Sequence, residues 1–275
     1  MKNILDEIIA CKRREVVEQT LRAPVAQLER SAYFRRSTRS LSDELRRTDS
    51  LGIIAEIKRR SPSKGMLNPD ISVETVAAGY IQAGASAISV LTDFEYFGGT
   101  SEDLIMARGA HESPILRKDF IVDEYQLIEA KSIGADAILL IAAALTPQKV
   151  RSLASTARSL GLESLLEVHS EEELQSHGCD EVDAIGVNSR DLRTFVVDIG
   201  VAERIIEQIP NHVVAVAESG ITEADDLIRL RRAGYHGFLI GEAFMRQSRP
   251  EDACRLFIEA VHRLQATEVG EKRHA

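Results

Sequence analysis

Tryptophan is absent from the 275 residues and the aromatic share is only 5%, so the chain's own ultraviolet fluorescence is that of tyrosine. Cysteine is nearly as scarce. Cys11, Cys179 and Cys254 are odd in number and widely scattered, which argues against a disulfide framework or a zinc site and fits a reducing cytosol. The seven histidines have no metal-ligand spacing, so no metal is expected. No apolar run approaches the roughly 20 residues of a membrane span, and the N-terminus lacks the basic, apolar and small segments of a signal peptide. An excess of positive charge is missing too. Lysine and arginine number 34 against 43 acidic residues, for a net charge of -9 and a pI near 5.4, which argues against nucleic acid or an anionic membrane as the main partner. The expectation is a soluble, cytoplasmic, monomeric protein, in which an anionic ligand needs a local basic cluster. Lys58, Arg59, Arg60 and Lys64 supply one.

What is present is an ordinary globular composition, 44% hydrophobic and 28% charged, with a repeating pattern. From Met1 to about Arg22, the residues Ile4, Leu5, Ile8, Ile9, Val16 and Val17 recur at helical spacing, which predicts an amphipathic helix packed on something larger. A basic loop, Arg35 to Arg39, precedes a second helix over Ser40 to Arg47; these pieces read as an extension covering an exposed face, with its arginines solvated. From Leu51 onward short apolar runs alternate with helical patterns. The runs are Ile53–Ile57, Ala87–Leu91, Pro114–Leu116, Ala137–Ile141, Ser164–Val168, Ala184–Val187, Val213–Ala217 and Gly237–Ile240, eight strands in all. Helices are predicted over Ser72–Ala83, Glu124–Ile133, Pro147–Leu160 and Thr222–Ala233, the last three each stopped by a glycine. Strand followed by helix, repeated, gives a parallel sheet, and continuous apolar runs suit strands buried on both faces. Eight units in about 225 residues match a single (β/α)8 barrel. The alternative, a doubly wound sheet, would usually carry a G-x-G-x-x-G loop after its first strand, and none follows Ile57. No linker rich in Pro, Gly or Ser follows Leu51. The division expected is residues 1–50 as the helical extension, 51–265 as the barrel and 266–275 as a C-terminal tail, frayed from Glu268 onward.

Such barrels place their active groups at the C-terminal ends of the strands. Those ends carry Glu56 and Lys58, Lys118 and Asp119, Glu167 and His169, Asn188 and Arg190, Glu218 and Ser219, and Gly241 and Glu242. Side chains two apart on a strand share a face, so Glu56 and Lys58 enter one cavity together. Taken alone, that pair reads equally well as a structural salt bridge. Two lysines and three glutamates converging on one mouth, however, are a costly way to stabilise a fold, and they read as a reaction site. If Glu167 and Asn188 face inward, His169 and Arg190 lie above them at the rim. Loops after the seventh and eighth strands of such barrels often build a phosphate site from backbone N–H groups. Ser219, Gly220 and Gly241 stand there, and Ser61 of the first loop could add a hydroxyl. Glu242 follows directly, and its carboxylate is expected to turn away and leave only its N–H toward the anion.

Six segments carry a family resemblance: Ile54–Ser63 (IAEIKRRSPS), Ile115–Val122 (ILRKDFIV), Leu165–His169 (LLEVH), Ile185–Leu192 (IGVNSRDL), Val216–Ile221 (VAESGI) and Leu239–Met245 (LIGEAFM). In order and spacing they resemble indole-3-glycerol phosphate synthase, over essentially the whole chain. Arg117 before the lysine and Ser189 after the asparagine depart from the common pattern, and strand parity directs Arg117 away from Lys118. The resemblance implies a TIM barrel that converts 1-(2-carboxyphenylamino)-1-deoxyribulose 5-phosphate to indole-3-glycerol phosphate, CO2 and water in tryptophan biosynthesis, without cofactor or metal. By position it implies Glu56, Lys58, Lys118, Glu167, Asn188 and Glu218 around the reacting atoms. It implies Ser61, Ser219, Gly220, Gly241 and Glu242 at the phosphate, with Arg190 beside them. Lys118 is expected as the acid for ring closure. Lys58 either binds the substrate carboxylate or acts as the acid for dehydration, Glu167 is the base or orients a lysine, and Glu56 anchors its neighbour. A Schiff-base aldolase using Lys58 or Lys118 as nucleophile is the nearest rival. A ligand-binding barrel without catalysis is a second, and it would be expected to have lost at least one of these ionisable groups.

Overall fold

A computed structural model describes residues 4–191 and 196–272, and the side chains of all of these before residue 268. The first residues of the N-terminal helical pattern, Leu192 of the fourth motif and residues 273–275 of the tail lie outside the described residues. Eight parallel strands close a barrel: β1 (Ile53–Ile57), β2 (Ala87–Leu91), β3 (Ile115–Lys118), β4 (Ala137–Ile141), β5 (Glu163–Val168), β6 (Ala184–Asn188), β7 (Val214–Glu218) and β8 (Gly237–Ile240). Each strand pairs with its sequence neighbours, and β8 returns to β1 with Ile53 opposite Phe238 and Ala55 opposite Ile240. The chain is thus a TIM barrel with an N-terminal helix, Ile4–Arg22. β3 runs two residues beyond the predicted stop and takes Arg117 and Lys118 into the ladder, where they pair with Val90 and Leu91. The final helix, Pro250–Lys272, extends into the stretch expected to be the tail.

Alternation divides the strands into two cores. Ile53, Ala55, Ile57, Val90, Leu140 and Phe238 face the helices, whereas Ile54, Leu116, Leu139, Leu165, Val216 and Leu239 fill the barrel. Helix boundaries follow local chemistry. The Thr146 side chain accepts from the Lys149 N–H ahead of Pro147, and Gly234, at φ +118°, ends the helix Ala224–Ala233 in a left-handed turn that a Cβ would oppose.

The extension does more than cover a face. Leu41 and Leu45, on the short helix Leu41–Arg46, belong to the inner core and seal the N-terminal end of the barrel. Ser40 and Ser42 hold that helix on the carboxylate of Glu163 at the start of β5. The expectation of solvated arginines fails at Arg36, whose guanidinium lies 2.6 Å from Asp136, a fully buried carboxylate. Asp136 also accepts from the N–H groups of Arg39 and Ile115 and from the buried Arg108. The physical reason is that Asp136, just before β4, lies buried at the closed end, where these donors satisfy it in place of water. Removing one partner of a buried ion pair costs about 3–5 kcal/mol. Asp136→Ala should therefore lower the unfolding free energy by about 3–5 kcal/mol, seen as a lower urea midpoint with an unchanged slope.

Candidate active site

The C-terminal mouth of the barrel opens into a cavity of about 480 Å³. The twelve site residues expected from sequence, Glu56, Lys58, Ser61, Lys118, Glu167, Asn188, Arg190, Glu218, Ser219, Gly220, Gly241 and Glu242, line it, and His169, expected at the rim, stands behind Glu167. At its floor the ammonium of Lys118 lies 2.7 Å from Glu167 and 2.6 Å from Glu218. Lys58, nearer the opening, is paired with the buried carboxylate of Glu56. Asn188 hydrogen-bonds Glu167, and the ring of His169 stands between Glu167 (3.4 Å) and Glu173 (3.3 Å). Arg117 points outward, as parity requires, to Glu129, Asp119 and the carbonyl of Gln126.

Two ammonium groups face three carboxyls in a space nearly closed to water, and the titrations reflect the imbalance. Burial opposes ionisation of Glu167, yet Lys118, His169 and the hydrogen bond from Asn188 outweigh it and hold that carboxyl below its usual range. Glu218 goes the other way. Burial raises it, Lys118 opposes, and the charges of Glu167 and Glu56 add to the rise, which brings it to about 7. Its Oε1 meets no donor among the described residues, which also favours the neutral form. For Lys118 burial pulls downward, but Glu167, Glu218 and Glu56 win and keep it protonated above the usual lysine value. A lysine in that state is an acid and a cation, and a poor nucleophile.

Space for these carboxyls comes from two glycines facing the interior. A Cβ on Gly186 would collide with Oε1 of Glu218, and one on Gly241 would collide with Oε1 of Glu56. Neither was singled out on that ground from sequence. The available signal was a glycine at an inward strand position beside a glutamate on the neighbouring strand.

The wall at the ends of β7 and β8 is made of backbone. Ser219 (φ +66°) is the one described residue other than glycine with positive φ, and Gly220 (φ +81°) follows it. This tight turn places backbone, not side chains, along the cavity wall, where an anion can come close to N–H groups. At Gly220 a Cβ would also strike Val197 and Ile199, so the turn admits only glycine. Gly241 opens the short helix Glu242–Met245. The Glu242 carboxylate accepts from Arg190 (3.2 Å) and Arg246 (2.6 Å) and so is already neutralised beside this wall. The opposite wall is apolar and was not foreseen: Phe97 and Phe120, 6.0 Å apart, with Leu139 and Ile141 below and Ile4, Leu5 and Ile8 of the N-terminal helix above.

The geometry can therefore hold an anion at one end and a flat apolar group at the other, with proton donors and acceptors between. The sequence model of the family described as indole-3-glycerol phosphate synthase matches residues 5–257. A protein of that name from Bacteroides thetaiotaomicron is 48% identical over 261 residues, covering 95% of this chain and 100% of its own. One from Chromobacterium violaceum is 43% identical, covering 94% and 98%. Among solved structures, a thiamine phosphate pyrophosphorylase from Pyrococcus furiosus superposes with a TM-score of 0.58 at 18% identity over 82% of this chain and 98% of its own, a likeness of fold alone. The full-length matches, together with the closed barrel, place this chain in the indole-3-glycerol phosphate synthase family.

Proposed function

We propose that the chain performs the family's ring closure in tryptophan biosynthesis by proton transfer among Lys118, Lys58 and Glu167. The observation that carries this is the position of Lys118, a protonated amine at the cavity floor held by two carboxyls. The aromatic carbon bearing the carboxylate attacks the ribulose ketone, and the carbonyl electron pair takes a proton from Lys118. Carbon dioxide then departs, leaving its bonding pair to restore the ring. The new hydroxyl leaves as water with a proton from Lys58, driven by the ring nitrogen, and Glu167 removes a proton from the former methylene carbon to complete the indole. Two protons are donated and one recovered, so one is taken up from water per turnover. Each transfer is worth roughly 10^2 to 10^4 in rate. Glu56 anchors Lys58, Asn188 orients Glu167, and Glu218 shares Lys118 with it. The phosphate binds at Ser219, Gly220, Gly241 and Ser61, with Arg190 beside it and Glu242 offering its backbone N–H.

The absence of tryptophan makes the test direct. Addition of 1-(2-carboxyphenylamino)-1-deoxyribulose 5-phosphate should produce indole emission over a tyrosine background. A folded protein giving no such rise would refute the reading.

A further inference from the structure

Lys12 takes no part in the chemistry above, yet it is the most deeply buried lysine of the described chain, 2% exposed. It lies on the N-terminal helix, and its ammonium reaches across to the barrel, 3.0 Å from Asp93 and 3.0 Å from Asp119; Glu15 of its own helix is at 2.8 Å. The two barrel carboxylates are themselves fixed. Asp93 caps the helix Phe94–Phe97 by accepting from the Tyr96 N–H, and Asp119 accepts from the Phe120 N–H, from Thr92 and from Arg117. These loops carry Phe97 and Phe120, the facing rings of the apolar wall. Ile8 and Ile4, one and two turns before Lys12, form the roof over the same wall.

We propose that Lys12 is a positioning residue that locks the N-terminal helix as the roof of the aromatic half of the substrate site and sets the spacing of Phe97 and Phe120. This rests on the ring-closure reading for the identity of the ligand and on geometry alone for the lock. A cation shut away from water between carboxylates on two separate barrel loops is a costly way to tether a helix that already buries Leu5, Ile8, Ile9 and Val16. What the apolar contacts lack is register, because they tolerate sliding and the ion cluster does not. Loss of the lock should weaken binding of the aromatic ring and leave the proton transfers at Lys118 and Glu167 intact.

The experiment compares Lys12→Met, which keeps the side-chain length, with wild type and with Glu15→Gln, whose carboxylate does not reach the barrel. Lys12→Met should raise KM about tenfold or more with kcat within about threefold, and weaken binding of 2-aminobenzoate equally, while inhibition by inorganic phosphate stays unchanged. Hydrogen exchange should be at least about tenfold faster in residues 4–22 and unaltered in the barrel strands. Glu15→Gln should resemble wild type. An unchanged KM, or a fall in kcat alone, would overturn the proposal. If Lys12→Met does not fold, Asp93→Asn decides: asparagine keeps the cap on Tyr96 but loses the charge, so KM and exchange must move in the same direction or the proposal fails. A wild-type protein without turnover would defeat the ring-closure reading and leave the exchange comparison standing.

Discussion

Replacing Lys118 by methionine should lower kcat by about 10^4-fold or more while leaving the protein folded, the largest single loss expected in this molecule. The magnitude combines two contributions of a single group, the donated proton and the positive charge beside the oxygen that becomes negative, each worth roughly 10^2 or more. Methionine retains the length and the apolar stem. Its loss of charge leaves Glu167 and Glu218 facing each other, and both should then hold a proton more readily. Lys118→Arg should not restore activity, because a guanidinium is a far weaker acid than an ammonium and cannot occupy the point between the two carboxyls. Turnover within tenfold of wild type in Lys118→Met would move the ring-closing proton to another group. Single-turnover measurement with quenching separates the chemical step from product release and makes that comparison clean.

Glu167→Gln should cost about 10^2 to 10^4 in kcat, the value of a positioned base, and it should also move a titration belonging to its neighbour. Glu218 sits at about 7 against an ordinary value of 4.5 in part because the negative charge of Glu167 repels its own. With glutamine at 167 that repulsion ends, Lys118 serves Glu218 alone, and the Glu218 titration should shift toward acid. The sign of the stability change follows. In the wild type the native state keeps on Glu218 a proton that the unfolded chain releases above 4.5, so stability from this group declines as pH rises from about 4.5 to about 7. In Glu167→Gln the decline should shrink and finish at lower pH. Urea unfolding across that window measures it, and an undiminished slope would mean that Glu218 owes its shift to burial and Glu56 rather than to Glu167.

Most of the barrel was legible because its signals are local. A continuous β-branched run, a glycine after a helix and a proline inside one state their own conformation, and seven of the eight strands begin and end within one residue of the apolar runs. β3 ran longer because Arg117 looks like a loop residue until Glu129 and Asp119 are there to receive it. The inward set of Glu56, Lys118, Glu167, Asn188 and Glu218 was legible through parity, which needs only the strand. What stayed hidden depends on partners distant in sequence. The pairing of Lys12 with Asp93 and Asp119, the burial of Arg36 on Asp136, and the room that Gly186 leaves for Glu218 are properties of two chain segments at once. Phe97 and Phe120 fell in the same class, since nothing in either stretch announces that the two rings face each other.

The helix Leu41–Arg46 has a bearing on the order in which the chain folds. Leu45 packs against Val216 and against the open face of Gly237, residues made nearly two hundred positions later. Its socket does not exist until β7 and β8 are in place, and β8 is also the strand that must find β1 to close the ring. Full burial of Leu45 is therefore coupled to closure of the barrel, although Ser40 and Ser42 anchor the same helix on Glu163 of β5. Contacts of such separation fold slowly. Without β8, Leu45 lacks the Gly237 face against which it packs.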